Sequence, residues 1–358
     1  MSIANLILAA FAVASWEEPK EVGNYDVAVT IGPVQTDTRA HLKFGTQRLA
    51  TGFVELKAGE TRTVEFTARV PGPYTKRNDG SNMSLHLDLY QEGDAPRLDQ
   101  VTVAPAPETP TIYLCGDSTV TDQRGGIYAS WGQVLPMMAN KGWAVSNFAR
   151  SGLALETFKA DGRLNRILKH LKPGDWVCIQ FGHNDQKRKG QEPENGYTEL
   201  LNEYCDVCEA KGAKMVIISP CERRRFDKDT GAQQPKTLDG YAQAARKVAE
   251  KRGIPFIDLN DATYRMNGVL GAEGTKEVYC FAKKADFPAL KGDKADNTHH
   301  SLYGAYLNAR IVAAGLAQIP GIGDAIKPEF REFDFMNPPP NPDFPLCSKI
   351  DATKPEGN

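Results

Sequence analysis

One serine and one histidine, far apart in the chain, lie in motifs that could form a nucleophile and its base. Ser118 stands in the run Gly-Asp-Ser-Thr at the end of an apolar segment. A serine hydroxyl is a weak nucleophile unless an imidazole accepts its proton and a carboxylate orients that imidazole. In the run Asp-Asn-Thr-His at 296–299, the D-x-x-H spacing allows one short turn to present Asp296 beside His299. Either motif alone is weak, but together they contain the three groups that acyl transfer through a serine needs.

Acyl transfer also needs hydrogen-bond donors aimed at the oxyanion that develops on the attacked carbonyl. The backbone N–H of Ser118, expected at a helix N-terminus, is one candidate. Gly152 is a second, because without a side chain its N–H can approach a ligand closely. The side-chain amide of Asn184, in the run Gly-His-Asn-Asp, is a third. The alternatives are an ordinary turn glycine at 152 and a turn-forming residue at 184.

Three further residues are candidates for substrate contact. His183 lies beside the amide of Asn184, whereas His300 is expected to face away from Ser118 when His299 faces it. Arg223 and Arg224 follow the apolar run KMVIISP directly. A solvated surface run is the alternative for these arginines. At the end of a strand, however, their guanidinium groups could bind a substrate carboxylate in bidentate geometry.

The first third of the chain has the pattern of short antiparallel strands. Apolar residues alternate with polar ones in TRTVEFTARV (61–70) and NMSLHLDLY (82–90), and Gly, Pro, Asn and Asp separate such runs. The pattern predicts an all-β sandwich over 21–105. It resembles the galactose-binding-like modules attached to bacterial polysaccharide enzymes. The alternative role is a structural cover that rigidifies the neighbouring domain.

After the Pro-rich linker APAPETP (104–110), the pattern changes to apolar strands alternating with helical segments, which predicts an α/β domain with a parallel sheet over 110–320. The strands are predicted at 111–117, 144–149, 176–182, 214–220 and 254–259, and the helices near 130–141, 164–171, 197–211, 239–252 and 301–317. Ligands of such sheets bind beyond the carboxyl ends of the strands, where the motifs above stand. An irregular tail is predicted for 321–358.

Composition limits the class of protein. The 358 residues are 41% apolar and 25% charged with a net charge of −2, which favours a soluble globular protein and gives no basic field for nucleic acid. No apolar run has the roughly 20 residues that span a bilayer. Residues 1–20 resemble a leader with a small-residue cleavage site at Ala-Val-Ala, which predicts a secreted or periplasmic bacterial protein. A short docking strand is the alternative.

Seven cysteines are spread along the chain without a dense framework. Cys115 and Cys178 lie in apolar strands, and Cys205 and Cys208 lie on a helical stretch without the second pair that a zinc site needs. Core positions are the better interpretation of all four. We expect no metal and no cofactor.

Four motifs occur in the order typical of the SGNH (GDSL) hydrolases: GDS after the first strand, Gly152 after the second, GHND after the third, and DNTH near the C-terminus. The resemblance covers about residues 111–318. It implies a flavodoxin-like three-layer fold with about five parallel strands. It also implies Ser118 as nucleophile, His299 as base and Asp296 as its partner, with the oxyanion hole formed by Ser118, Gly152 and Asn184.

Within this family the chain most resembles the rhamnogalacturonan acetylesterases. The runs GDSTV, GHND, DNTHH and DGRLNR (161–166) are similar to that branch, and so is an Arg pair matching Arg223 and Arg224. One departure is Gly152-Leu153-Ala154, where the branch usually has Arg-Ser after the glycine. The resemblance implies a serine esterase that removes O-acetyl groups from acetylated pectin through an acyl-enzyme, with an acetylated polysaccharide as partner.

Three other functions are compatible with parts of the pattern. An SGNH esterase could act on another acetylated glycan or on a lipid ester. A metal-dependent phosphoesterase would use Asp, Asn and His at strand ends, but its dinuclear type requires D-x-H and G-N-H runs, which differ from those at 116–118 and 182–185. A non-catalytic carbohydrate-binding protein would lack some of the catalytic residues, and all of them are present here.

Overall fold

A computed structural model describes residues 11–45, 47–72, 84–93, 95–124, 126–287 and 290–345. Residues 1–10 of the predicted leader and 346–358 of the predicted tail lie outside this part of the chain. The rest of the leader segment lies in the fold, since Phe11–Pro19 form a strand that pairs antiparallel with Ser84–Glu92 over nine positions. Among the described residues, no helix combines the length and the apolar character needed to cross a membrane.

Residues 11–105 form two antiparallel sheets, called here the N-terminal sheets. One has the strand order β1-β7-β3-β4, with β5 also pairing to β3, and the other has the order β6-β2-β8. The strands are β1 (Phe11–Pro19), β2 (Gly23–Ile31), β3 (Thr38–Phe44), β4 (Arg48–Leu49), β5 (Val54–Leu56), β6 (Arg62–Val70), β7 (Ser84–Glu92) and β8 (Gln100–Pro105).

The alternation read from the sequence selects the residues that these two sheets bury between them. Leu85, Leu87 and Leu89 of β7 share one hydrophobic cluster with Phe66 and Ala68 of β6. Strand pleating explains this, because every second side chain points to the same face.

The polar face of β6 is covered as well. Thr67 and Arg69 are 5% and 8% exposed. The hydroxyl of Thr67 accepts a hydrogen bond from the N–H of Gly142, and the guanidinium of Arg69 lies 5.7 Å from the ring centre of Tyr113. This face therefore packs on the following domain instead of facing water.

The second part of the chain contains the predicted parallel sheet of five strands. Its order is β10-β9-β11-β12-β13, with all neighbours parallel. The strands are β9 (Thr111–Gly116), β10 (Ala144–Asn147), β11 (Trp176–Gln180), β12 (Lys214–Ile218) and β13 (Phe256–Ile257), and the helices are α1 (Trp131–Val134), α2 (Leu155–Ala160), α3 (Arg163–His170), α4 (Thr198–Glu209), α5 (Asp239–Arg252), α6 (Leu259–Val278) and α7 (Leu302–Ala317).

Helices cover both faces of this sheet. Along β9, Ile112 and Leu114 pack into a cluster with residues of α1 and α7, whereas Tyr113 and Cys115 pack into a cluster with residues of α2 to α5. Burial on both faces explains why the strands read as continuous apolar runs. The six described cysteines are buried and unpaired, with Cys205 and Cys208 of α4 facing the second cluster.

Several elements differ from the sequence prediction. The predicted strand 254–259 is short because Asp258 caps α6, accepting a hydrogen bond from the N–H of Asp261. Helix α6 was not predicted; its glycine-rich sequence weakens helical periodicity, and Gly271 breaks the helical conformation with φ 68°. Helix α2 and the antiparallel pair β14 (Tyr279–Ala282) and β15 (Lys294–His300) were also missed.

The first turn of α7 approaches the end of α6 so closely that position 304 requires glycine. A Cβ atom on Gly304 would overlap the carbonyl oxygen of Val278. We expect Gly304→Ala to destabilise the fold by about 2 kcal/mol, the usual cost of overpacking a core contact. Gly274→Ala is the matched control, because its Cβ would meet only ordinary contacts with Leu270 and alanine favours helix. Urea unfolding measures both; equal stabilities of the two variants would contradict the argument.

Candidate active site

The loop 117–124, called here the Ser118 loop, follows β9 at the carboxyl edge of the sheet. The helix predicted to begin at Ser118 is absent; the N–H groups of Val120 and Thr121 both bond to the carbonyl of Asp117, and the first helix begins at Trp131. A turn forms here because the carboxylate of Asp117 binds the N–H and the hydroxyl of Thr119, each at 2.8 Å.

The carbonyl of Ser118 is held from the opposite side of the loop. It accepts hydrogen bonds from the side-chain amide of Gln123 at 3.0 Å and from the hydroxyl of Ser130 at 2.5 Å. Ser118 itself is 6% exposed. These bonds fix the backbone from which the Ser118 hydroxyl projects.

Asp296 and His299 lie in a bulge of β15. Tyr279 pairs with His300, and Phe281 pairs with Ala295. Between these two pairs the chain advances by two residues in β14 but by five in β15. The extra residues leave the ladder, and one carboxylate oxygen of Asp296 accepts hydrogen bonds from the N–H groups of Thr298 and His299. The short turn expected for the D-x-x-H motif thus occurs within a strand pair.

The structure brings the three predicted side chains into one hydrogen-bonded line. Nδ1 of His299 lies 2.8 Å from Oδ2 of Asp296, and Nε2 of His299 lies 3.0 Å from Oγ of Ser118. With Asp296 ionised, Nδ1 donates to it and Nε2 is free to accept the serine proton.

The charge of Asp296 is secured by its surroundings. Burial alone would raise the pKa of this carboxyl, but the hydrogen bond and charge of His299, with the N–H groups of His299 and Thr298, outweigh burial and lower the pKa to about 2. The side chain of Asp296 is only 23% exposed and that of His299 16%, so solvent screens their interaction weakly.

The other two histidines near the site are buried and neutral. The ring of His300 contacts the amide of Asn308 at 3.1 Å, and burial lowers its pKa to about 3. The ring of His183 is 2% exposed and lies 3.5 Å from the sulfur of Cys221, and burial lowers its pKa well below the usual range. The substrate contact predicted for His183 is therefore not supported by its position.

The candidate oxyanion donors follow β10 and β11. Gly152 is exposed and has φ 81°, a conformation that favours glycine. The amide of Asn184 donates to the carbonyl of Leu153 at 3.1 Å and accepts from the ammonium of Lys187 at 3.0 Å. An amide nitrogen carries two N–H bonds, so one of them goes to Leu153 while the other can serve a ligand.

Asp117 and Asp185 accept hydrogen bonds from backbone N–H groups around the site. Asp185 accepts a hydrogen bond from the N–H of Leu155 at the start of α2. Burial raises the pKa of both carboxyls, that of Asp185 to about 7.

The structure separates the two arginines that the sequence treats as a pair. The guanidinium of Arg224 donates to Thr275, Ala272 and the side chain of Asn297, and it lies over the rings of two phenylalanines. Its backbone N–H also donates to the carbonyl of Asn297 at 2.9 Å. Arg224 thus holds the segment that carries Asp296 and His299.

Arg223 has a different environment. Its guanidinium donates to the hydroxyl of Thr237 at 2.9 Å and its charge acts on the buried His183. A guanidinium has five N–H donors, so this bond leaves most of its donor capacity for a ligand.

Some residues around the site were not predicted. The ring of Tyr128 meets that of His299 edge-on, with ring centres 5.7 Å apart, and Lys187 contacts Asn184 as described. Tyr128 carries no spacing signal in the sequence, because only the tertiary fold brings it to His299. Across the described part of the chain, no three His, Cys, Asp or Glu side chains converge as metal ligands.

Comparison with known proteins adds independent observations. Residues 114–277 match the GDSL-like lipase/acylhydrolase family. The chain is 34% identical over 210 residues to the rhamnogalacturonan acetylesterase RhgT of Bacillus subtilis, covering 58% of this chain and 90% of that relative. It is 27% identical over 283 residues to the uncharacterised esterase YxiM of the same organism, covering 71% and 74%.

A crystal structure of Bacillus subtilis YxiM is similar with a TM-score of 0.52 and 26% identity, covering 86% of this chain and 81% of that one. Residues 111–358 are fewer than the 86% of the chain that is matched, so the similarity must include part of the N-terminal sheets. Sequence, fold and relatives agree, and the chain belongs to the GDSL-like lipase/acylhydrolase family of carboxylic ester hydrolases.

Proposed function

We propose that this protein is a serine esterase that removes O-acetyl groups from acetylated pectin, with Ser118, His299 and Asp296 as its triad. The observation that carries the proposal is the hydrogen-bonded line from Asp296 through His299 to Ser118. Each of the two links is within 3.0 Å, although Ser118 and His299 lie 181 residues apart in the chain. Such an arrangement is the recurring geometry of an activated serine.

The reaction then proceeds in two steps. His299 accepts the proton of Ser118 while Oγ attacks the acetyl carbonyl, and the N–H groups of Ser118, Gly152 and Asn184 bind the oxyanion. Collapse releases the sugar hydroxyl, which takes the proton from His299, and leaves an acetyl ester on Ser118. Water, deprotonated by His299, hydrolyses this ester to acetate.

The proposed substrate is an acidic polysaccharide. RhgT is named a rhamnogalacturonan acetylesterase, and a second Bacillus subtilis relative, 30% identical over 217 residues, carries the same name as probable. Pectic chains carry carboxylates, and the guanidinium of Arg223 could bind one beside the acetylated sugar. Such a polymer lies outside the cell that degrades it, so we propose a secreted or periplasmic enzyme.

The sequence predicts a division at 21–105, 110–320 and 321–358; because β1 pairs with β7, we propose that the N-terminal sheets form a β-sandwich module that begins at Phe11 and not at 21. The shared hydrophobic cluster between the two sheets supports this division. A leader within residues 1–20 stays a prediction.

Acetate release from a panel of acetylated rhamnogalacturonan, xylan and a small neutral acetyl ester tests the proposed reaction. Ser118→Ala should lose activity by orders of magnitude, because the proposed acyl intermediate forms on the Ser118 hydroxyl. Ser151→Ala, a buried serine of the neighbouring loop, is the matched control and should stay active. Activity that survived in Ser118→Ala, or that EDTA abolished and a divalent ion restored, would contradict the serine mechanism. Preference for xylan would exclude pectin as the main substrate.

The dependence of kcat/KM on pH tests His299 as the base, and its rising part at low pH is called here the acid limb. The value of kcat/KM for the small ester should rise as the pH is raised from acid conditions, because only neutral imidazole accepts a proton. Asp296→Asn removes the charge that stabilises protonated His299, so the acid limb should move to lower pH while the maximum rate falls.

Asp185→Asn is the control for this profile, because it removes a different carboxyl near the site, whose pKa burial raises to about 7, and keeps the acceptor for Leu155. Its acid limb should coincide with that of the wild type. A limb that moved in Asp185→Asn and stayed fixed in Asp296→Asn would remove His299 from the role of base.

The two arginines should respond differently to replacement. Arg223→Gln should lower kcat/KM on acetylated rhamnogalacturonan about tenfold, roughly one charge-assisted hydrogen bond, and leave the small neutral ester unaffected. That loss should shrink as salt is raised. Arg224→Gln should lower both activities equally, because it disturbs the segment of Asp296. Equal losses of kcat/KM in both variants on both substrates would show that neither arginine binds a substrate carboxylate.

A further inference from the structure

The short strand β4 of the N-terminal sheets is embedded in the α/β domain. Leu49 is fully buried and belongs to the same hydrophobic cluster as Val134 of α1 and Leu307 of α7. Its neighbour Arg48 is 2% exposed. A charged side chain so completely buried requires a partner, because removal of its hydration is costly.

The partner of Arg48 is Asp122, the fourth residue after Ser118. Nε of Arg48 lies 3.2 Å from Oδ2 of Asp122, and the carboxylate side chain is 12% exposed. The guanidinium also lies over the ring of Phe44, 4.8 Å from its centre, and Nη1 donates to the carbonyl of Arg69. Arg48 is therefore fixed on one side by the N-terminal sheets and on the other by the Ser118 loop.

Asp122 passes this constraint to two loops of the site. Its other oxygen accepts a hydrogen bond from the amide of Asn147 at 2.8 Å, and the same amide donates to the carbonyl of Val120 at 2.7 Å. The side-chain oxygen of Asn147 accepts a hydrogen bond from the N–H of Ala149 at 3.1 Å, three residues before Gly152. One network thus connects the backbones on both sides of the proposed oxyanion hole.

A second route, made only of hydrogen bonds, joins the same two parts of the structure. The carbonyl of Gln47 accepts from the amide of Gln133, whose oxygen accepts from the N–H of Gln123. The side chain of Gln123 then donates to the carbonyl of Ser118. Adjacent residues of the N-terminal sheets, Gln47 and Arg48, therefore reach the Ser118 loop by separate routes.

Close packing leaves this network little freedom to relax. A Cβ atom on Gly132 of α1 would overlap the carbonyl of Val120 and lie 2.6 Å from the amide nitrogen of Asn147. The backbone of α1 at Gly132 therefore packs directly against the carbonyl of Val120 and the amide of Asn147.

We propose that Arg48 is a positioning residue of the esterase reaction, through which the N-terminal sheets hold the Ser118 and Gly152 loops in their reactive geometry. The N-terminal sheets are on this view part of the catalytic scaffold. The inference rests on the proposed role of Ser118 as nucleophile. It predicts a loss in kcat and not in substrate affinity, because Arg48 lies beneath the loops and does not contact substrate.

The test compares Arg48→Met with Arg69→Met, using a small neutral acetyl ester at a temperature where near-ultraviolet circular dichroism shows both folded. Arg69 is the matched control, because it is 8% exposed in the same sheets but binds Asn24 and lies over Tyr113, away from the Ser118 loop. Arg48→Met should lower kcat about tenfold or more, as expected for small displacements of reacting groups, with KM within about twofold. Arg69→Met should keep kcat within about twofold.

Two further variants keep the inference testable if Arg48→Met does not fold. Asp122→Asn removes the charge but keeps the acceptor for Asn147, and it should lower kcat in the same way. Arg48→Lys should recover part of the loss, because it restores a cation near Asp122 without the planar fork.

The rate at which a serine-directed organophosphonate labels Ser118 should fall in parallel with kcat. Equal effects of Arg48→Met and Arg69→Met, or unchanged kcat in Asp122→Asn, would overturn the inference while leaving the proposed function intact. An active Ser118→Ala enzyme would instead overturn the proposed function itself.

Discussion

The structure depends on the burial of the five-stranded parallel sheet between two layers of helices. Such a sheet has no solvated face, so polar groups that must meet a ligand are confined to the ends of the strands. The loops after β9, β10 and β11 carry Ser118, Gly152 and Asn184, and they lie next to each other because these three strands are neighbours in the sheet. His299 comes from a separate element, the bulge of β15 directly before α7.

Much of this architecture could be read from the sequence because burial leaves a simple mark. Strands covered on both sides are continuous apolar runs, and the five such runs gave the five strands. Helix α6 has a weaker sequence signal, because its glycines reduce the helical periodicity and Gly271 interrupts the helical conformation. The strands β14 and β15 have no recognisable strand pattern in the sequence, because the bulge interrupts the alternation of side chains that identifies a strand.

The candidate site was predictable where chemistry fixes the residue type. A nucleophile, a base and its carboxylate are restricted to few residues, and their motifs led to Ser118, His299 and Asp296 before any geometry was known. The burial of His183 and the different surroundings of Arg223 and Arg224 were not predictable in this way. Adjacent residues in a loop point in different directions, and only tertiary contacts decide which of them meets the ligand and which one holds the backbone.

Burial favours the neutral form of both Asp185 and His300, so it shifts their pKa values in opposite directions, and this affects how the stability of the fold depends on pH. The raised pKa of Asp185, about 7 against roughly 3.9 in an unfolded chain, makes stability fall as pH rises between these values, because the unfolded carboxyl releases its proton first. The lowered pKa of His300, about 3 against roughly 6.5, makes stability fall as pH decreases between those values. The buried His183, whose pKa burial also lowers, adds to the second gradient, so over mildly acidic pH the histidines outweigh Asp185 and the fold loses stability as the pH falls. Resistance to heat should therefore decline in acid buffers, and storage of this protein favours a pH near neutrality.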